Sequence, residues 1–400
     1  MSKNALGFDQ DRLLRIDDWM RRNVEIGRYT GSSVLIARHG EVAHFSATGL
    51  SSVVRNLAYE RDTILRVYSM TKMITTVGFM MLLERGCVNL HDPVSHYLPE
   101  FSNCSALIEG ATRVDQIESV PAPTLHQLLT HTSGMTYAFN PGLLAEHYEQ
   151  VGINFDCGSG GLDKVCKSVA EQPLAFRPGR NWHYSIGIDV IGRVIEVLDG
   201  RTLDSYLREE VFDPLGMVDT GFDVPEQKVP RFADCFVKTE VNPLYCFDSG
   251  THSEFLEGKV TTFSGGGGLL STLDDYFRFG EMVRRGGEFN GQRLLSPRTL
   301  AFMRRNHLPG DIASMGPDSF AEMPMKGVGF GLGGAVMVEP ARSGMVGSVG
   351  DFGWGGMAST YFWTDPVEDL NCTFFTQLVP SSSYPNRAEL KALVHAALVD

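Results

Sequence analysis

Ser69-Met70-Thr71-Lys72 is the stretch of this 400-residue chain whose residue types and spacing could do chemistry. It lies between an extended segment, Thr63 to Val67, and a long apolar run, Met73 to Glu84. Read locally, Ser69 opens a helix and Lys72 lies one turn in. Residues three apart on a helix share a face, so hydroxyl and amine can meet. A serine hydroxyl is a poor nucleophile without a base beside it. A lysine withdrawn from water can be that base. The helix N-terminus adds N–H groups and positive potential, which suit an oxyanion formed there. The motif is weak alone, because ordinary composition supplies roughly one or two S-x-x-K matches by chance in such a length. Its bland reading is a Ser cap and a solvated Lys.

The second informative stretch is Phe176 to Ile186. Pro178-Gly179 makes a turn and a helix begins near Ser185, so Tyr184 is presented from a loop. A phenol there could share a proton with Lys72 and Ser69; the alternative is an amphipathic boundary residue. His131 and His183 could serve as a base, but no G-x-S-x-G elbow occurs, which argues against an α/β-hydrolase. No H-E-x-x-H or similar spacing exists, so the histidines read as structural and no metal is expected.

The elements that must position these residues follow from pattern. Asp9 to Glu25 has apolar residues at helical spacing. Ser33–Arg38 and Glu41–Ser46 form a hairpin about His39-Gly40. The Ser69 helix runs to Arg85-Gly86, and His91 to Glu100 is a proline-punctuated loop. Helices follow over Leu125–Leu129, capped by Thr124, then Leu162–Glu171, Ile186–Leu198 and Thr202–Phe212. Residues 222–262 resist assignment. Ser264-Gly265-Gly266-Gly267-Gly268 lacks phosphate-loop spacing and reads as a tight turn feeding the capping residues Ser271 to Asp274. That helix stops at Gly286-Gly287, and Ser296-Pro297 opens another. Gly329–Val338, Met357–Trp363 and Leu370–Leu378 read as strands, and a helix closes the chain from Asn386 to Leu398. The expected fold is α+β: an antiparallel sheet covered by N- and C-terminal helices, formed by residues 1–75 and 263–400. A mostly helical domain, 76–262, is inserted. Ser69 would sit where the two lobes meet, a place where clefts form.

Composition narrows the classes. With 43% hydrophobic and 21% charged residues the balance is globular. A net charge of −13 without a Lys/Arg cluster argues against a nucleic-acid partner. Seven cysteines with no C-x-x-C pair read as buried thiols in a reduced compartment. Met1 to Asp9 has no apolar leader. No apolar run is long enough to span a bilayer. A soluble, cytoplasmic protein is expected.

Taken together the motifs resemble the serine β-lactamase and penicillin-binding protein superfamily, on its class C-like side. Beside Ser69-Met70-Thr71-Lys72, the segment Leu128 to Met135 resembles the family's L-L-T-H-T-S-G. Asp92-Pro93-Val94 with Tyr97-Leu98-Pro99 resembles D-P-V-x-x-Y-L-P, and Phe176 to Ser185 resembles F-x-P-G-x-x-[FW]-x-Y-S. Gly265 to Asp274 resembles G-G-G-L-x-S-T-x-x-D. The resemblance implies Ser69 as acyl-forming nucleophile, Lys72 and Tyr184 as the proton-handling pair, and no cofactor. Departures point to the substrate. The Asn of Y-x-N is replaced by Ile186. Where class C enzymes carry K-T-G, this chain has Trp354-Gly355-Gly356-Met357, which offers no charge to a substrate carboxylate. In this it is similar to the family VIII carboxylesterases. That resemblance implies an oxyanion hole from the Ser69 and Met357 amides, with Trp354, Gly355 and Gly356 against the substrate. The expected activity is hydrolysis of short-chain, uncharged esters, with weak β-lactam turnover at most. The alternatives are an acyltransferase, a D-amino-acid peptidase or amide hydrolase, and a silent binding protein. A small-molecule ester is the expected partner; a homo-oligomer is left open.

Overall fold

The computed structural model describes residues 4–400, so the start of the Met1–Asp9 segment lies outside the described residues. Helix α1 (Gln10–Glu25) is capped by Asp9, whose carboxylate accepts from Arg12 N at 3.0 Å, and turns Leu13, Ile16, Trp19 and Met20 inward. The chain then folds into β1 (Gly31–Arg38) and β2 (Glu41–Ser52), followed by the short β3 (Leu57–Ala58). Helix α2 (Thr71–Glu84) is buried from Thr71 to Leu82 on every face, as a central helix with an unbroken apolar run must be. Helices α3 (Leu125–Leu129) and α4 (Gly187–Asp199) follow, α3 closed by a reciprocal Thr124–Gln127 capping box. Helix α5 (Leu273–Arg284) is capped by Thr272.

The remaining strands come late in the chain: β4 (Val328–Phe330), β5 (Ala335–Met337), β6 (Phe352–Gly355), β7 (Tyr361–Asp365) and β8 (Leu370–Phe375). Helix α6 (Asn386–Ala397) ends it. All eight strands join one antiparallel sheet in the order β4-β5-β6-β7-β8-β1-β2-β3. The seam between the two chain ends is β1 on β8, Ser33 opposite Phe375 through Arg38 opposite Leu370. Strand alternation divides the core. Val34, Ile36, Trp363 and Phe374 pack with Leu13 and Trp19 of α1 and Leu390 and Val394 of α6. Leu35, Ala37, Phe362 and Phe375 pack on the opposite side with Phe279 and Met282 of α5.

Several expectations are corrected. Gly329–Val338 is a hairpin, not one strand: Gly331 N bonds Gly334 O at 2.8 Å, and Gly333 takes a φ of 81°. Met357 lies in the turn between β6 and β7. The unassigned 222–262 segment holds a 3-10 turn, Glu226–Arg231, and two short strands, Cys235–Val237 and Tyr245–Asp248. These are held by distant partners: Cys235–Val237 bonds to Leu378–Val379, and the fully buried Arg66 reaches Asp248 Oδ2 at 2.6 Å and Ala233 O at 2.8 Å. The cysteines are free thiols, but Cys87 is exposed and Cys157 and Cys246 are half-buried. Among the described residues no helix is long and apolar enough to cross a membrane.

Candidate functional site

Ser69 is the middle residue of a 3-10 turn, Tyr68–Met70, that runs directly into α2. The α-helix itself opens at Thr71. The turn is fixed on both sides. Leu65–Arg66 pairs with Leu270–Ser271, Val67 N bonds Leu269 O at 3.1 Å, and Tyr276 OH bonds Met70 O at 3.0 Å. Tyr68 takes a φ of 42°, a left-handed backbone that a tyrosine holds only where its surroundings impose it.

Tyr184 reaches Ser69 from the loop before α4. That loop is pinned by Trp182 N on Met315 O at 2.9 Å, His183 N on His131 O at 2.8 Å and Asn140 Nδ2 on Tyr184 O at 2.7 Å. The phenol donates to Ser69 Oγ at 2.6 Å. Behind it stand the rings of His131 and Phe320, each 4.7 Å from the Tyr184 ring centre.

Lys72 is fully buried on α2 and spends each of its three N–H donors on an acceptor. It reaches Gly266 O at 2.7 Å, Tyr137 OH at 2.8 Å and Ser69 Oγ at 3.4 Å, with Nζ 4.6 Å from the Tyr184 ring centre. Tyr137 in turn donates to Asp189 Oδ2 at 2.8 Å, and Asp189 also accepts from Gly266 N at 2.9 Å and from Ser264 Oγ. An ammonium and a carboxylate, both buried, are thus joined through one phenol. Burial and the Asp189 anion push the Tyr137 hydroxyl well above the usual phenol range. Gly266 must be glycine, because a Cβ there would collide with Asp189 Oδ2.

Tyr137, Asp189, Ser264 and Gly266 were not anticipated. For Ser264 and Gly266 the signal is the glycine run that reads as a tight turn; for the other two it is oblique, Tyr137 following the Thr132-Ser133-Gly134 motif and Asp189 sitting in the first turn of α4, five residues after Tyr184. His131 and His183 take no part at Ser69. His131 accepts from Ser185 N at 3.2 Å, and burial followed by the Lys72 cation holds it well below the usual imidazole range. His183 shares a hydrogen bond with Thr136 Oγ1 at 2.8 Å.

The Trp354 segment is placed differently from its expected role. Trp354 is buried in β6 behind Tyr184, its Nε1 directed at Tyr184 OH from 3.4 Å and its ring stacked on Phe320 at 5.9 Å. Gly355 lies against the Arg387 guanidinium, and Gly356 N is spent on Thr360 O at 3.0 Å. From this segment it is Met357 that faces the cavity beside Ser69.

That cavity has a volume of about 700 Å³. Tyr68, Tyr137, Phe139, Phe155, Phe247 and Phe255 give it aromatic walls, while Asp156, Asp248 and Glu254 give it anionic ones. No Lys or Arg among the described residues lines it. Among the described residues no group of three or more His, Cys, Asp or Glu is placed to hold a metal ion.

The chain is similar to known proteins over most of its length. A family model described as beta-lactamase matches residues 16–396. Esterase EstB of Burkholderia gladioli is 32% identical over 377 residues, covering 90% of this chain and 89% of that protein. Monacolin J acid methylbutanoyltransferase of Aspergillus terreus is 27% identical over 357 residues, covering 84% and 82%. Among solved structures, EstCE1, a hydrolase with promiscuous acyltransferase activity, matches with a TM-score of 0.80 at 26% identity, over 96% of this chain and 99% of its own.

Proposed function

The chain belongs to the beta-lactamase family, and from that premise we propose that it is a cytoplasmic serine carboxylesterase working through an acyl-enzyme on Ser69. The observation that carries the reading is the 2.6 Å contact of Tyr184 OH with Ser69 Oγ, over a Lys72 whose donors are all satisfied. Lys72 is then the fixed cation beside Tyr184, which enters the cycle as a phenolate after releasing its own proton to solvent, and this phenolate takes the serine proton. The Ser69 oxygen bonds to the ester carbonyl carbon as its proton passes to Tyr184. The oxyanion is received by the Ser69 and Met357 amides. The C–O bond to the alcohol breaks, Tyr184 returns the proton to the leaving alkoxide, and water repeats the sequence to free the acid.

The cavity supports an uncharged ester: among the described residues no Lys or Arg lines it, and Asp156 and Glu254 meet an entering carboxylate with like charge. Its volume of about 700 Å³ exceeds what a short acyl chain fills, so the alcohol portion is taken to be the larger part. The same room favours a second reading, in which an alcohol acceptor replaces water in the second half-reaction and the enzyme transfers the acyl group. The test is turnover of p-nitrophenyl butyrate by wild type and Ser69→Ala, with a chromogenic cephalosporin alongside. Ester cleavage that vanishes in the variant, with little cephalosporin turnover, is expected. Equal or faster cephalosporin turnover would overturn the substrate assignment. An acylated alcohol formed in preference to free acid would favour transfer.

A further inference from the structure

A peptide unit is planar and trans, so its C=O and N–H point in opposite directions. For the unit joining Gly356 to Met357, whatever holds the Gly356 carbonyl therefore aims the Met357 amide. What holds it is a cation. Arg387, from α6, donates Nη2 to Gly356 O at 2.9 Å and to Thr360 O at 3.3 Å, so one guanidinium nitrogen spans both ends of the turn. The side chain is buried and lies across Gly355, where any Cβ would collide with it. Its Nε is 3.2 Å from Oε1 of Glu322, a second buried charge, which makes no aligned hydrogen bond. Glu322 belongs to the hairpin 319–324 whose Phe320 covers Tyr184 and Trp354. On the opposite side Gly356 fits flat against Val67, two residues before Ser69, and a Cβ would strike Val67 O. The turn is clamped between α6 behind and the approach to Ser69 in front.

We infer that Arg387, balanced by Glu322, is a positioning residue for the oxyanion site: it fixes the direction of the Met357 N–H and, by polarising the amide from its carbonyl end, strengthens it as a donor. This rests on the oxyanion hole proposed above. Removing Arg387 alone leaves Glu322 as a buried carboxylate without its partner, which costs stability, so the melting temperature is read beside the chemistry and inhibitor affinity separates the two.

The test compares wild type, Arg387→Met, Arg387→Lys, Glu322→Gln and Ser69→Ala. It reads kcat and KM on p-nitrophenyl butyrate, inhibition by an alkyl trifluoromethyl ketone whose hemiketal oxyanion takes the same place, and the melting temperature. Losing an oxyanion donor outright costs roughly 100- to 1,000-fold in kcat, and misaiming one costs less. Arg387→Met is expected to lose about 10- to 100-fold in kcat with KM nearly unchanged, and inhibitor affinity is expected to fall by the same factor. Arg387→Lys recovers part of this, and Glu322→Gln loses about threefold. A merely structural role would lower Tm and the active fraction while leaving inhibitor affinity unchanged in the molecules that remain active. Unchanged kcat and inhibitor affinity in the Arg387 variants, with Ser69→Ala inactive, overturns the inference alone. If Arg387→Met does not fold, unchanged inhibitor affinity in Arg387→Lys and Glu322→Gln does so. Full turnover in Ser69→Ala overturns the acyl-enzyme reading first.

Discussion

Two walls flank Ser69, and they are built from different materials. On one side Tyr184 and Lys72 meet at Ser69 Oγ, and Lys72, Tyr137 and Asp189 continue as side chains joined by hydrogen bonds. On the other side the Gly356–Ser359 turn presents backbone, held by Arg387 from behind and by Leu378, whose amide bonds Ala358 O at 3.1 Å and whose carbonyl accepts from Ser359 Oγ at 2.7 Å. The first wall can be dismantled by removing atoms. The second cannot, because no substitution deletes an amide except proline, and it yields only when its supports move. The side-chain wall is therefore the place for all-or-none variants and the backbone wall the place for graded ones.

The largest effect that sharpens this contrast is on Lys72. Lys72→Met removes the cation and leaves Gly266 O without its donor and Asp189 as a buried anion without its counter-charge. Expected are a loss of about 10³–10⁴ in kcat/KM and a stability cost of about 3–5 kcal/mol, typical when one partner of a buried charge pair is removed. Tyr184→Phe, which keeps the ring among His131, Phe320 and Trp354, is expected to match the kinetic loss without the stability cost. Stopped-flow ester cleavage and urea unfolding measure the two. Near-wild-type acylation in Tyr184→Phe would shift the proton-handling role from Tyr184 to Lys72.

The same division decides what was legible beforehand. Ser69, Lys72 and Tyr184 could be read because residue type and local spacing carry their meaning: three residues apart at a helix start, and a tyrosine after a Pro-Gly turn. Tyr137 and Asp189 could not, since what gives them a role is a meeting in space with Lys72 from 65 and 117 positions away, and neither lies in a motif of its own. The glycine run at 265–268 was recognised as a turn, but not as the source of a carbonyl for Lys72, because a backbone acceptor leaves no trace in residue type. The strand expected over Met357–Trp363 begins only at Tyr361, because a turn is imposed before it by Gly356 packing on Val67 and by Ser359 at a φ of 64°. Trp354 was read as facing substrate from its motif position alone, and burial turns it toward Tyr184 instead. The sheet seam of β1 on β8 was foreseeable in outline, since β-rich segments at both chain ends need partners. The strands at 235–237 and 245–248 were not, because they are fixed by Arg66 and Leu378 rather than by alternation.

A milder break tests whether Tyr137 is a link or a bystander. Tyr137→Phe keeps the ring stacked on Phe139, 4.8 Å between centres, but removes the bond from Lys72 and the bond to Asp189. Two buried charges each lose a partner while remaining close to one another. About a 10- to 100-fold loss in kcat is expected, the scale of a supporting contact next to a general base, together with a changed alkaline limb of the pH–rate profile. A variant with unchanged kcat and pH profile would reduce the side-chain wall to Ser69, Lys72 and Tyr184.

The smallest effect distinguishes the walls by acid. The side-chain wall rests on neutral imidazoles: His131 beneath Tyr184 is held well below the usual range by burial and by Lys72, and His183 is lowered by burial. His126, on the Leu125–Leu129 helix, is brought down to about 4 by burial, with the neighbouring His307 and His91 adding to it. In the unfolded chain each of these titrates near 6.5. Between that value and the lower folded one, the unfolded state binds the proton and the native state does not. Stability is therefore fully present above about pH 6.5 and is lost as pH falls, by up to about 1.4 kcal/mol per unit for each such residue. Urea midpoints should thus fall between pH 7 and pH 5, and His126→Gln, at the residue best placed for replacement because its ring meets other imidazoles and not Tyr184, should flatten that slope while leaving kcat at pH 7.5 within about twofold. An unchanged slope would mean that the native state accepts the proton at His126 after all, through rearrangement of the His91–His126–His307 row.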